Sequence, residues 1–247
     1  MDIPRKTLIM LPHLDDEFAL VPLIKKIAKY GSENLKIVYC AERILDSRKK
    51  IKKRRLESIA SLELLGCQKE NIIYLNDKFI VGDLKLRAAS KNIYNFVEEF
   101  HLKEKFSCII TLNFEGGHPD HDSLALIVDK FTKAHDIKPI YVPSYNYRKT
   151  LFVPLSVFRP LVCQRNYFTS ESYDLFCWVD CLKIAWIYRT ERKAFIKLLP
   201  FIIFQSIFSK KIYQSNILNI NSVNWDKSIC NKRYMTSKKE ILEAIKW

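Results

Sequence analysis

Two short clusters of histidine and aspartate are notable because each comes soon after an apolar run. HLDDE, residues 13–17, comes after TLIML at 7–11, and HPDH, residues 118–121, follows SCIITL at 107–112. Together they hold three of the five histidines of the chain. Buried imidazoles and carboxylates are costly unless they are paired, so their concentration at two such places indicates a site rather than packing.

The residue types in these clusters predict metal-assisted hydrolysis. Two imidazoles, one carboxylate and a water form the open, four-coordinate ligand set that zinc prefers. Such an ion lowers the pKa of its water toward ~7. A second carboxylate can act as general base, and a third, positively charged imidazole can stabilise an oxyanion. Alternatively, HLDDE is only a helix start with acids at the positive end of the dipole. The second cluster, in an equivalent position, favours the site.

The elements around the clusters explain how they could meet. Strand-like and helix-like segments alternate over the first part of the chain: strands at 7–11, 35–40, 71–75, 107–112 and 139–142, and helices at 46–65, 84–99 and 121–134. This rhythm predicts βαβ units, hence an α/β, Rossmann-like and mostly parallel sheet with helices on both faces. In such sheets ligands bind at the carboxyl ends of strands, where both clusters stand.

The alternation of strand-like and helix-like segments stops after Pro143. We therefore expect a core at residues 1–145 and a C-terminal helical extension at 146–247 that packs on it. Within the extension, residues 182–213 have a helical pattern that we expect to be interrupted at Pro200.

PHLDDE at 12–17 and HPDH at 118–121 together resemble the paired signatures of the LmbE-like, or PIG-L, zinc-dependent N-deacetylases. RRLESIASLELLGC at 54–67 is similar to the Arg-x-x-Glu…Leu-Gly helix of that family, and the order of elements agrees over about residues 5–145. The resemblance implies a Rossmann-like fold, one Zn²⁺ per chain with other divalent metals as an alternative, and removal of an acetyl group from an N-acetylated amino sugar. The substrate class spans glycans and lipid-linked or nucleotide-linked compounds.

The resemblance also implies a role for individual residues. The zinc ligands would be His13, Asp16 and His121. Asp15 would be the general base, and His118 would face the substrate carbonyl with its ring held by Asp120. Glu42 and Asp77 would contact sugar hydroxyls, and Arg54 would orient the acids. Leu14 replaces the proline usual in the family, from which we expect altered rigidity but no loss of metal.

The charge balance favours an anionic partner. Lys and Arg number 41 against 27 Asp and Glu, a formal net charge of +14. A solubilising surface explains the surplus equally well. The basic run RKKIKKRR at 48–55 is either a phosphate-binding patch or a solvated helix face. The apolar segment 194–211, flanked by basic residues, is either a peripheral membrane contact or a buried helix.

Two other functions remain open from the sequence: an amidase acting on a non-sugar amide, and a basic nucleic-acid-binding module. No nucleic-acid motif is recognisable, so we expect no nucleic-acid partner. An odd number of cysteines, seven, and no signal-peptide pattern favour the cytoplasm, with contact at the inner face of the membrane as an open alternative.

Overall fold

A computed structural model describes residues 6–147, 155–173, 175–204, 211–243 and 245–247. Five parallel strands form the central sheet: β1 (Thr7–Leu11), β2 (Leu35–Tyr39), β3 (Ile72–Tyr74), β4 (Cys108–Leu112) and β5 (Lys138–Val142). Their order in the sheet is β3-β2-β1-β4-β5. The predicted α/β, Rossmann-like fold is thus confirmed, and the strand order reverses between β1 and β4.

Helices cover both faces of the sheet. They are α1 (Val21–Lys29), α2 (Arg48–Leu64), α3 (Ser90–Glu104) and α4 (Pro119–His135). Alternate residues of β1 enter different apolar clusters: Ile9 packs with residues of α1 and α2, and Met10 packs with residues of α3 and α4. All five residues of β1 are buried, as expected for a central parallel strand.

The C-terminal part is more mixed than the helical extension that the sequence predicted. It contains α5 (Leu175–Ile187), α6 (Arg192–Phe204), α7 (Ile229–Tyr234) and α8 (Lys238–Glu243). Four short strands form two antiparallel pairs: β6 (Tyr145–Tyr147) with β7 (Leu155–Val157), and β8 (Thr169–Ser172) with β9 (Lys211–Gln214). Helix α5 packs on α1 and α2 of the core.

The predicted helix over 182–213 is wrong in three respects. It is interrupted at residues 188–191, between α5 and α6, and not at Pro200. Pro200 lies inside α6, which continues to Phe204, because a proline removes one hydrogen bond without having to end a helix. At the other end, Lys211–Gln214 is a strand, since pairing with β8 satisfies its backbone. Residues 205–210, which belong to this prediction and to the apolar segment 194–211, lie outside the described residues.

Candidate metal centre and active site

The reversal of strand order brings the two histidine clusters together. Strands β1 and β4 are hydrogen-bonded neighbours, with Ile9 opposite Ile110. The chain after β1 carries HLDDE and the chain after β4 carries NFEGGHPDH, so both leave the same edge of the sheet. This is the crevice in which open α/β sheets bind their ligands.

The turn before α4 needs both of its glycines. Gly116 has a φ of +70°, a conformation that side chains disfavour. A Cβ at Gly117 would lie 2.3 Å from the carbonyl oxygen of Tyr145. The buried carboxylate of Asp122 holds this turn by accepting the N–H groups of Glu115 and Gly116, at 2.8 and 3.1 Å. The turn therefore fixes where α4 begins.

Asp16 links the two clusters. One oxygen, Oδ2, accepts the backbone N–H of His13 at 2.8 Å and lies 3.1 Å from Nδ1 of its ring. The other, Oδ1, lies 3.2 Å from Nε2 of His121. The ligand atoms of His13, His118 and His121 all lie within 4.8 Å of one another. Imidazoles with a carboxylate between them form a donor set that fits zinc.

Asp120 supports His13 rather than His118. Its Oδ2 lies 3.1 Å from Nε2 of His13 and accepts the N–H of Leu84 at 2.7 Å, while Oδ1 accepts the N–H of Leu86 at 3.2 Å. The family resemblance implied instead that this carboxylate holds the ring of His118. A carboxylate on the second nitrogen of a metal-binding histidine fixes the ring orientation and increases its basicity.

His118 is the residue before α4, and its Nδ1 accepts the backbone N–H of Asp120 at 3.2 Å. In a neutral ring this leaves the proton on Nε2. Burial, together with the charges of His13 and His121, lowers the pKa of His118 to about 2. This environment favours the neutral form of the ring, whereas the sequence indicated a positively charged imidazole.

Asp15 lies beside this cluster and contacts a buried arginine. Its Oδ1 is 3.5 Å from Nη2 of Arg54, whose Nη1 lies 3.2 Å from Glu191. Burial and the charge of Asp16 raise the pKa of Asp15, and the guanidinium of Arg54 opposes that shift. The result is a carboxylate that is more basic than an exposed aspartate.

The residues expected to contact sugar are only partly brought to the site. Glu42 lines the cavity, but Arg55 binds its carboxylate at 2.6 and 3.1 Å. Asp77 pairs with the same arginine at 2.8 Å and is not among the residues that line the cavity. Asp83 lies there instead, 3.3 Å from Nε2 of His13 and 3.8 Å from Nε2 of His118.

Asp83 was missed because it belongs to a loop and follows no strand end directly. Its only local signal is the preceding Gly82. The basic run 48–55 is mostly the solvated face of α2: of its residues only Arg54 lines the cavity. The sequence of a basic run does not by itself show which of its side chains points into the cavity.

Nearby carboxylates perturb the pKa of His13. Burial opposes its protonation, but hydrogen bonds with Asp120, Asp16 and Asp83 raise its pKa well above the usual value. Three carboxylates around one imidazole favour a cation at this point, whether a proton or a metal ion.

The cluster opens into a cavity of about 520 Å³, within the usual range for small-molecule sites. The C-terminal part of the chain supplies much of its outer wall, including Phe195 and Tyr234. The ring of Tyr234 meets that of His118 edge-on, with centroids 4.8 Å apart. The site is therefore built by the core and shaped by the residues that follow it.

Residues 8–132 match the family model of PIG-L, described as GlcNAc-PI de-N-acetylase. The chain belongs to the PIG-L family. The match contains both histidine clusters and the helix that carries Arg54. No curated protein matches this PIG-L chain at a significant level.

Solved deacetylase structures with TM-scores above 0.5 share the fold. The deacetylase of the A40926 pseudoaglycone is 14% identical, with a TM-score of 0.58, and the alignment covers 86% of this chain and 95% of that protein. A deacetylase of teicoplanin biosynthesis is 11% identical, with a TM-score of 0.55 and 85% and 95% coverage. The N,N'-diacetylchitobiose deacetylase from Pyrococcus horikoshii is 24% identical, with a TM-score of 0.41 over 53% of this PIG-L chain and half of that protein.

Among the described residues, no helix combines the length and the apolar character needed to cross a membrane.

Proposed function

We propose that this PIG-L chain is a zinc-dependent N-deacetylase of an N-acetylated amino sugar. The observation that carries the proposal is the meeting of His13, Asp16 and His121 with Asp15 and His118 in one cavity. Membership of the PIG-L family supports the reaction class.

His13, Asp16 and His121 would hold the metal. Asp16 contacts a ring nitrogen of both histidines, and no such contact joins it to His118 among the interactions of the described residues. Zinc bound in such a site lowers the pKa of water and polarises a carbonyl oxygen. Asp120 would keep the ring of His13 in the orientation that binding requires.

Asp15 would take the proton of the attacking water. Its raised pKa brings it closer to the pKa range in which a carboxylate is an effective base near neutral pH. The guanidinium of Arg54, 3.5 Å away, favours the charged form of this carboxylate. When the C–N bond breaks, the same carboxyl returns its proton to the amine, and acetate leaves.

His118 would stabilise the acyl oxygen. Because Nδ1 accepts a backbone N–H, the Nε2–H group is free to donate to an oxygen in which negative charge develops. A neutral donor suffices here, since its effect depends on placement before the reaction.

We also propose that the substrate carries an anionic group. Lys193, Lys197 and Arg233 line the outer cavity, and none of them pairs with a carboxylate of the residues that the structure describes. Arg43 lies at the same wall but is bound by Glu191 and Asp83. Three unpaired cations at the mouth of a cavity attract a phosphate or carboxylate.

A substrate panel tests the proposal. Zinc-loaded protein is incubated with N-acetylglucosamine, its 1-phosphate, its uridine diphosphate derivative, diacetylchitobiose and N-acetyl amino acids, and free amine is measured. We expect amine release from sugars, faster from the phosphorylated ones. Release from acetyl amino acids alone would identify a non-sugar amidase, and no release from any member would count against the proposal.

A further inference from the structure

Helices α5 and α6 expose large apolar side chains beside the cavity. The exposed fractions are 71% for Trp186, 57% for Ile196, 44% for Ile203 and 38% for Leu182. Scattered apolar residues are ordinary on a protein surface, but four within one helical pair form a patch that needs a partner. We call these four residues, with Arg189 and Arg192, the outer face.

The four side chains lie on one side of the helical pair. Leu182 and Trp186 follow the i, i+4 spacing of one stripe on α5, and Arg189 lies just beyond the end of that helix. Arg192, Ile196 and Ile203 share one face of α6. The guanidinium of Arg192 lies 5.2 Å from the ring centre of Trp186, so the two stripes meet.

The charge of this surface has one sign. Five cations are exposed between residues 182 and 204: Lys183, Arg189, Arg192, Lys193 and Lys197. The acids of α5, α6 and the turn between them, Asp180 and Glu191, are buried. Asp180 pairs with Lys25 and with Lys183 of this surface, and Glu191 pairs with Arg54 and Arg43. No exposed carboxylate therefore interrupts the surface among the described residues of this helical pair.

We propose that the outer face binds an anionic membrane surface. Tryptophan and isoleucine insert at the boundary between headgroups and acyl chains, and arginine and lysine attract lipid phosphates. A protein partner of opposite charge would be expected to match carboxylates to a polar rim, whereas this face alternates apolar and cationic groups, as peripheral membrane helices do.

The location gives the proposal a consequence for the enzyme. Lys193 and Lys197 stand next to Arg192 and Ile196 along α6 and line the cavity. If the protein binds a membrane through the outer face, the opening of its cavity lies at the level of the lipid headgroups. A substrate attached to a lipid could then enter without leaving the bilayer.

Vesicle flotation with the full, zinc-loaded chain tests this. Vesicles contain either phosphatidylcholine alone or phosphatidylcholine with about one third phosphatidylglycerol, at low and high salt. Two variants alter the outer face: Arg189→Gln with Arg192→Gln, and Trp186→Ser. Two matched variants alter exposed residues of α3, on the opposite face of the sheet: Lys91→Gln with Lys103→Gln, and Leu102→Ser.

We expect flotation with anionic vesicles that weakens at high salt and is slight with neutral ones. Each basic residue near such a surface contributes about fivefold to binding, so the double arginine variant should bind about 25-fold more weakly. The serine variant should lose at least about tenfold. Both α3 variants should bind more strongly than the corresponding outer-face variants, and circular dichroism checks that all four fold.

The proposal is overturned if the wild-type chain does not float at low salt, or if the α3 variants lose as much binding as the outer-face variants. It is also overturned if sedimentation shows a dimer that only the outer-face variants dissociate, since the partner is then a second copy. Flotation measures no catalysis, so failure here leaves the deacetylase proposal standing.

Discussion

Tyr188 reaches from the C-terminal part of the chain into the loop that carries the candidate metal ligands. Its hydroxyl is hydrogen-bonded to the backbone carbonyl of Leu14 and to the carboxyl of Glu17, and all three residues are buried. Leu14 stands where the family usually has a proline. We predict that Tyr188→Phe loosens this loop, because the hydroxyl takes over part of the restraint that a proline ring would give.

The structure sets the size of the effect. The hydroxyl has one proton and donates to one of these two oxygens at a time. Its removal takes a hydrogen-bond partner from both the Leu14 carbonyl and the Glu17 carboxyl, and an unsatisfied buried group costs about 1–3 kcal/mol. Glu17 still accepts a hydrogen bond from the hydroxyl of Tyr39 at 2.8 Å, so its part of this energetic cost is small. We expect the free energy of unfolding to fall by about 2–4 kcal/mol, or about 2–4 °C in Tm for each kcal/mol. Zinc should bind about tenfold more weakly, as for outer contacts of metal ligands.

Tyr141→Phe is the matched control. Its hydroxyl is also buried and donates to a carboxylate, that of Asp129 at 3.2 Å, but it lies far from the metal loop in the other apolar cluster. Denaturant unfolding and competition with a zinc indicator measure both variants. The control should lose stability and keep its zinc affinity. Equal zinc affinities for Tyr188→Phe and Tyr141→Phe would refute the restraint that we assign to Tyr188.

Three further changes test separate parts of the site. Asp120→Asn should weaken zinc binding about 10- to 100-fold in an indicator titration, because its carboxylate no longer orients His13; an unchanged affinity would contradict the geometry. Asp15→Asn should retain metal but lose about 100- to 10,000-fold in turnover, since an amide cannot accept the proton; a near-normal rate would assign the base elsewhere. Gly117→Ala should lower the free energy of unfolding by at least about 2 kcal/mol, because its Cβ would lie 2.3 Å from the carbonyl of Tyr145, and a stability equal to wild type would show that the turn can move.

The sequence predicted the core of the fold because its strands are short, buried and regularly spaced between helices. HLDDE and HPDH could be placed at one edge of the sheet for the same reason: parallel strands bring their carboxyl ends together. The local sequence pattern was enough to predict the position of a residue when that position depends only on the helix or strand that contains the residue.

Contacts between distant parts of the chain could not be predicted from local sequence patterns. Arg55 and Arg54 are neighbours on one helix, yet Arg55 binds Glu42 and Asp77 while Arg54 turns to Asp15. Which of two adjacent arginines faces a cavity depends on the rotation of the helix against its neighbours, which a basic run does not encode.

The outer wall of the cavity could not be foreseen either. Lys193, Arg233 and Tyr234 come from two helices far along the chain, and no periodic pattern links them to the histidine clusters. Likewise, the strand at Lys211–Gln214 forms because a partner strand is present. Contacts between distant parts of the chain determine both the cavity wall and this strand, whereas sequence periodicity indicates only local structure.

Zinc titration of metal-depleted protein tests the central claim most directly. The protein is treated with a chelator, zinc is returned in steps, and acetate release from the best substrate of the panel is measured beside bound zinc. We predict that activity rises in proportion to bound metal up to one zinc per chain, and that His121→Ala neither binds the ion tightly nor gains activity. Full activity without metal, or equal activity in His121→Ala, would contradict the account.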